Sequence, residues 1–359
     1  MMNWQKWRNW IAAAICSFTV VSVSSVSSAT STSFPSSVSQ SAERLRPSGG
    51  LPAELCGQLR EPVAFAQTPA GQYLILDRRN HTVSTVDKAR TRLTTLMRAG
   101  MEKGNVLQPA ALSLATGDAF AVSDAPFGQE RVQMFFTNGG QIGAFLLPGV
   151  AAPRLTLEGL ILNGTGSLHF TGKSLLINRP ESGALVSMLN LEGQVVRQIG
   201  VLRKTGHETD REVHLALNVG LPLETHDGGV IFVFKTGVPT FRKYSADGRL
   251  EFERHIEGPV LDGYIQTLPT SWPMRKIGDG TYPLVTPSVR AAALSPEGDL
   301  WVSLTPPFTY VYNSAGDKTR TVQFDATGPL SPGSLFFSRA SGETRLLVTP
   351  GCYEFKPAL

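Results

Sequence analysis

The chain repeats itself. From Pro62, "PVAFAQTPAGQYLILDRRNHTVSTVDKARTRLTTL" reads as a short apolar run, a turn, a second apolar run, a turn, then two alternating runs around a third turn. The order returns from Pro109 in "PAALSLATGDAFAVSDAPFGQERVQMFFTNGGQIGAFLLP", and again from Gly166, Leu221 and Val289. A shorter sixth copy, "GSLFFSRASGETRLLVTPGCYEF", starts at Gly333. Each copy holds about 35 residues, room for four short strands but not for an independent core, so copies must bury their faces on one another. The third turns share a glycine, in Asn138-Gly139-Gly140, Glu192-Gly193, Asp247-Gly248 and Ala315-Gly316. Asn-Gly and Asp-Gly predict tight hairpins with both central residues at positive φ. The run Arg131-Val132-Gln133-Met134-Phe135 alternates as a half-buried outer strand does. Charged residues are only 17% of the chain, against 35 Gly and 24 Pro, which favours turns over exposed helices. The expected fold is all-β: a six-bladed β-propeller of four-stranded antiparallel blades.

The sixth copy lacks a fourth strand. A spare one precedes the first copy, in "AELCGQLRE" at residues 53–61, and is expected to join the C-terminal blade and close the ring. That puts Cys56 beside Cys352 and predicts a disulfide between them.

The stretches "YLILDRRNHTVSTVD" and "ERVQMFFTNGGQIGAFLLPG" resemble NHL-type repeats of six-bladed propellers, which share a proline-led first strand, a second strand ending in Asp and a third strand before Asp-Gly. Copies three to six carry Asn178, Lys235, Leu304 and Thr349 where the first two carry Asp77 and Asp124. The resemblance implies the architecture.

The N-terminus is laid out differently. "MMNWQKWRNW" carries Lys6 and Arg8, the apolar "IAAAICSFTVVSV" follows, then small residues to Ala29. This is the pattern of a secretory signal over residues 1–29, too short for a comfortable membrane span. Residues 30–50 read as a flexible Ser/Pro-rich linker, and 51–359 as the propeller. The expected product is exported, periplasmic or extracellular, with no stable membrane span after cleavage. It keeps 31 basic and 29 acidic residues and two cysteines, an even count that suits a disulfide. No basic stripe points to nucleic acid. Asn80-His81-Thr82 and Asn163-Gly164-Thr165 fit the glycosylation pattern.

In a meander, the loop between strands two and three lies at the same end as the crossover to the next blade. The long connections at 98–108, 148–158, 200–216 and 257–289 therefore share one face, and long loops on a rigid scaffold are where binding usually sits. Candidate ligand-binding residues there are Arg78, Arg79, Asn80, Asp124, Arg179 and Lys235 in the 2–3 loops, with Arg203, His207, Tyr264, Trp272 and Arg275 on the insertions. Their chemistry suits an anionic or carbohydrate-like ligand, or a protein, peptide or glycan partner. Trp272, in "TSWPM", is the expected anchor.

Catalytic signals are sparse. No Gly-x-Ser-x-Gly elbow occurs. His207 and His214 in "HETDREVH" have no zinc spacing, and the remaining histidines are scattered over the blades, so neither metal nor cofactor is expected. "HIEGPV" is similar to the Glu-Gly-Pro opening of lactonase-type six-bladed propellers, which implies the alternative: a metal-assisted hydrolase or lyase, with Ca or Zn, at the propeller axis. The reading carried forward is an exported binding or interaction module.

Overall fold

The computed structural model describes residues 42–358 apart from 116, 151–154, 158–159, 163–166, 278 and 341. The expected signal segment and most of the expected linker lie outside these residues. Six four-stranded antiparallel sheets form a ring. The blades, each given from its inner to its outer strand, begin with Pro62–Gln67, Tyr73–Asp77, Thr82–Val86 and Leu93–Met97. The second is Ala111–Leu114, Ala119–Asp124, Gln129–Phe136 and Gln141–Val150. The third is Leu168–Phe170, Leu175–Ile177, Ala184–Leu189 and Val195–Val201, and the fourth Gly220–Glu224, Val230–Phe234, Thr240–Tyr244 and Leu250–His255. The fifth is Val289–Leu294, Leu300–Leu304, Thr309–Tyr312 and Lys318–Asp325. The sixth takes Ser334–Ser338, Arg345–Thr349 and Tyr353–Phe355 from the C-terminus.

The burial of each strand follows its place in the blade. Second strands are covered on both faces by neighbouring blades, so Val230–Phe234 and Leu300–Leu304 are buried throughout and read as unbroken apolar runs. The outer strand Leu250–His255 meets solvent and is almost wholly exposed. Arg131–Phe135 departs from the expected half-buried strand: all five residues are buried. The long crossover before the second blade folds over them and satisfies the polar ones. Arg131 donates to the carbonyl of Asn105 (3.0 Å), and Gln133 donates to the same carbonyl (2.8 Å) while accepting from the Gly104 N–H (3.0 Å).

The third turns are also built differently from the expected two-residue hairpins. Gly139, Gly193, Gly248 and Gly316 have positive φ, while the residues before them do not. Each glycine N–H closes a four-residue turn onto the carbonyl three residues back, as in Gly248 N to Ser245 O at 2.8 Å. Register shifts follow at Lys243/Tyr244 and Val311/Tyr312. This is a type I turn with a glycine bulge, a longer loop that needs left-handed backbone only at the glycine.

Ring closure uses an N-terminal strand, but not the one expected. Residues 53–61 hold the short helix Ala53–Cys56 in the crossover to the first blade. The closing strand is Pro47–Gly50, paired antiparallel with Tyr353–Phe355. Just before it, Glu43–Leu45 runs parallel to the outer strand of the fifth blade. Residues 43–50, at the end of the stretch that composition marks as linker, thus strap the fifth and sixth blades. Gly50 has no substitute in this strap: its φ is +150° and a Cβ would lie 2.5 Å from the Cys352 carbonyl oxygen.

A polar cluster binds the strap to the first blade. Glu354, 2% exposed, accepts from the Tyr73 hydroxyl, from Arg90 (3.0 Å) and from Arg345 (2.7 Å). Arg90 also donates to the Gly50 carbonyl (3.0 Å), and Arg345 to Gln67 of the first inner strand (2.9 Å).

Cys56 and Cys352 are both thiols here, in place of the expected disulfide. They nevertheless adjoin: Cys56 at the end of the short helix packs against buried Cys352 in the 2–3 loop of the sixth blade. The Cys352 thiol stabilises the Cys56 thiolate by hydrogen bonding and lowers Cys56 to about 7, against the opposing effect of burial. The same contact, with burial, pushes Cys352 up.

Among the described residues no helix is long and apolar enough to cross a membrane.

Candidate functional site

The inner strands surround an axial cavity of about 1500 Å³. Small and apolar side chains line its bore, among them Ala64, Ala111, Leu112, Ala291 and Leu335. Its two ends differ. At the end shared by the 2–3 loops and the crossovers stand five cations, Arg78, Arg79, Arg179, Lys235 and Arg290, and three acids, Glu61, Glu130 and Glu181. At the other end lie Glu224, His226 and Arg339. Leu155 borders the cavity from the crossover hairpin of the third blade, and its neighbour Thr156 donates to the Val285 carbonyl (3.1 Å). Crossovers from two blades therefore join across this face.

Arg78 is paired with Glu61, and Arg179 lies 3.5 Å from Glu130. Lys235 follows the second strand of the fourth blade and is 9% exposed. Among the described residues no carboxylate pairs with it. Burial first, then the charges of Arg290 and Arg78, lower its ammonium from 10.5 to about 8. Its backbone is fixed: the N–H donates to Val219 O (2.9 Å), and the carbonyl accepts from the N–H groups of Ser288 (2.8 Å) and Val289 (3.1 Å). Inside the bore, burial pushes the His169 imidazole down to about 4, so it is neutral at pH 7.

Four of the candidates, Arg78, Arg79, Arg179 and Lys235, meet at this mouth. Others have structural partners. Asp124, buried, accepts from Arg131 Nε (2.9 Å) and Nη2 (2.6 Å) and from the Leu107 N–H (2.9 Å). Asn80 donates to Asp77 (2.8 Å), which also holds the Arg60 and Glu61 N–H groups at the start of the first blade. Arg203 lies over the Phe234 ring at 4.2 Å and donates to the carbonyls of Leu217 (2.9 Å) and Val238 (2.9 Å). Burial lowers it to about 10, and its donors are turned into the protein.

The insertion aromatics gather away from the axis. Trp272 packs on Val213, Ala216, Leu217 and Val285, and meets His207 edge-on at 5.3 Å. Tyr264 packs on the core between the fourth and fifth blades, with its hydroxyl 3.4 Å from the Pro287 carbonyl oxygen. Arg275 is exposed on the hairpin Met274–Ile277 and Gly280–Pro283. None of these four borders the cavity.

Arg290 is the cation that sequence reading passed over. It sits in the inner strand Val289–Leu294, where "VRAAAL" gives one charge among apolar residues and nothing to tell a cavity-facing side chain from a solvent-facing one. Two acids of "HETDREVH" serve the local backbone: Glu208 accepts from the Thr205 N–H (2.7 Å), and Asp210 caps the helix Arg211–Ala216 through the Val213 N–H (3.2 Å). "EGPV" leads into the helix Pro259–Ile265 and does not open a blade. Among the described residues no three His, Cys, Asp or Glu side chains are grouped to hold a metal.

No family model matches the chain, and no curated protein matches it. Solved structures similar to it include a streptogramin B lyase, at 11% identity over 82% of this chain and 92% of that one, with a TM-score of 0.49. Two more are virginiamycin B lyases from Staphylococcus aureus. A catalytically inactive form with quinupristin is 11% identical over 83% of this chain and 84% of that one (TM-score 0.49). The selenomethionine-substituted form is 10% identical over the same shares (TM-score 0.48). Nothing about the chemistry of this chain follows from them.

Proposed function

We propose that this propeller is an exported binding module that takes an anionic ligand at the insertion-side mouth of its axial cavity. The observation that carries the reading is Lys235: a buried ammonium beside two guanidinium groups, with no carboxylate of its own among the described residues. Such a charge costs stability until an anion neutralises it. A carboxylate, phosphate or sulfate group seated there gives the ammonium charge-assisted hydrogen bonds. The small-residue bore leaves room for the body of the ligand. Support for a glycan is weaker, because Tyr264 and Trp272 do not border the cavity.

Thermal unfolding in phosphate, sulfate or citrate, at constant ionic strength, tests the reading. A specific anion raises stability by about 2.7 kcal/mol at a hundredfold excess over its Kd. The wild type should respond and Lys235→Met should not; equal responses from both proteins would overturn the site.

Export carries a second expectation. In an oxidising compartment the adjoining Cys56 and Cys352 pair as a disulfide, pinning the first crossover to the sixth blade. Non-reducing peptide mapping of secreted protein should recover the two linked; recovery of both as thiols counts against this reading. Two residues of the NHL-type resemblance, Asp77 and Asp124, have a structural role here: their carboxylates make the backbone contacts that fix their crossovers.

A further inference from the structure

We infer that the axial cavity takes an amphiphilic monoanion, a monocarboxylate with an alkyl body of medium length, whose carboxylate meets the Lys235 ammonium at the mouth while the body lies along the bore. This inference rests on the anion-site reading and names the ligand class for it.

Charge sets the position and the number of head groups. Lys235 borders the cavity at its insertion-side mouth, is 9% exposed, and meets no acceptor for its ammonium among the described residues. The guanidinium groups around it are occupied: Arg78 by Glu61, Arg179 by Glu130, and Arg290 is also engaged within the protein. The buried charge left for a ligand is a single ammonium, which calls for a single anionic group. The far end of the cavity points the same way. Arg339 there is paired with Glu297, while Glu224 has no cation paired with it among the described residues, and burial raises it. A second anionic group at that end would meet a carboxylate in place of a partner.

The bore sets the body. Leu112, Leu221 and Leu335 come from three different inner strands, and each packs one side on a core between blades. All three are still only half-buried, and the cavity they line is where the rest of their apolar surface opens. Ala64 and Ala292 keep the bore wide beside them. His169 lies between the two ends and is neutral at pH 7, because burial pushes it down to about 4, so it gives the body no charge to meet. An alkyl chain displaces water from such a wall, which is the usual source of affinity in an apolar pocket. The inner strand Val289–Leu294 spans roughly 17 Å at the ordinary rise per residue, long enough for a chain of medium length.

The test is isothermal titration calorimetry of the full-length secreted protein with butanoate, hexanoate, octanoate and decanoate, each below its micellar concentration. Kd should tighten roughly threefold for every methylene added, as apolar burial requires. Lys235→Met should weaken octanoate by roughly tenfold or more, the usual cost of losing a hydrogen bond to a charged group. Octanedioate, which brings a second carboxylate towards Glu224, should bind roughly tenfold more weakly than octanoate, and octylammonium should not bind. Affinity that is flat across the series, or a series that is unchanged in Lys235→Met, would overturn the inference. If phosphate still stabilises the wild type and not Lys235→Met, a flat series removes the apolar body alone; if the phosphate effect is absent too, the anion site falls with it.

Discussion

Lys235→Met should stabilise the ligand-free protein, by up to about 3 kcal/mol at pH 7, the free-energy equivalent of lowering the lysine from 10.5 to about 8. Methionine keeps the length of the stem and removes the buried charge. The pH dependence gives the expected result its signature. Between pH 8 and 10.5 the unfolded chain holds the Lys235 proton and the folded chain does not, so wild-type stability from this group rises with pH across that window. Below pH 8 both states are protonated and the destabilisation is fully present; above 10.5 it is gone. The advantage of Lys235→Met should therefore be largest at or below pH 7 and shrink towards zero by pH 10.5. Calorimetric unfolding of both proteins across this range checks it. A constant difference, or a less stable variant at pH 7, would refute a destabilising ammonium. Stabilisation combined with loss of the phosphate response is the pattern of a residue kept for function at the expense of stability.

The opposite result is expected at Glu354. This carboxylate holds Tyr73, Arg90 and Arg345, and Arg90 also grips Gly50 of the closing strand. Glu354→Ala takes the charged acceptor from the nearly buried Arg345, leaving it Gln67, takes the acceptor from the Tyr73 phenol, and loosens the strap. Breaking a buried ion pair from one side costs about 3–5 kcal/mol, which for a domain of this size lowers Tm by roughly 10 °C. Glu354→Gln keeps the shape and one acceptor oxygen and should lose less. Loss of an equal amount in both variants would assign the effect to charge alone. A Tm for Glu354→Ala within about 2 °C of wild type would contradict the role given to the cluster.

The blade count and strand order were legible because second strands carry apolar runs that only a strand covered on both faces requires. The closing strand was not. "PSGG" has almost no intrinsic strand preference, and its extended form comes from the ladder to Tyr353–Phe355, together with an Arg90 contact that no local pattern encodes. "AELC", placed just before the first copy where a closing strand is expected, forms a helix instead. At the mouth, Arg78, Arg179 and Lys235 could be found from topology alone, since their loops must share an end. Arg290 could not, because an inner strand needs the third dimension to show which residues reach the axis. Side-chain direction was equally hidden for Arg203 and Trp272: the right loops were identified, but both side chains turn inward onto apolar surface.

The strap also sets a schedule for folding. Ser48 hydrogen-bonds across 306 residues to Glu354, and Glu43–Leu45 awaits a partner beyond residue 317. The segment made earliest among the described residues therefore docks last, and until then the third strand of the sixth blade shows a bare edge. Contacts this distant in sequence slow folding. An open edge with an unengaged matching segment is also the arrangement in which one chain lends its strand to another, so crowded or hurried refolding should yield exchanged dimers whose rings are each closed by the neighbour's N-terminus.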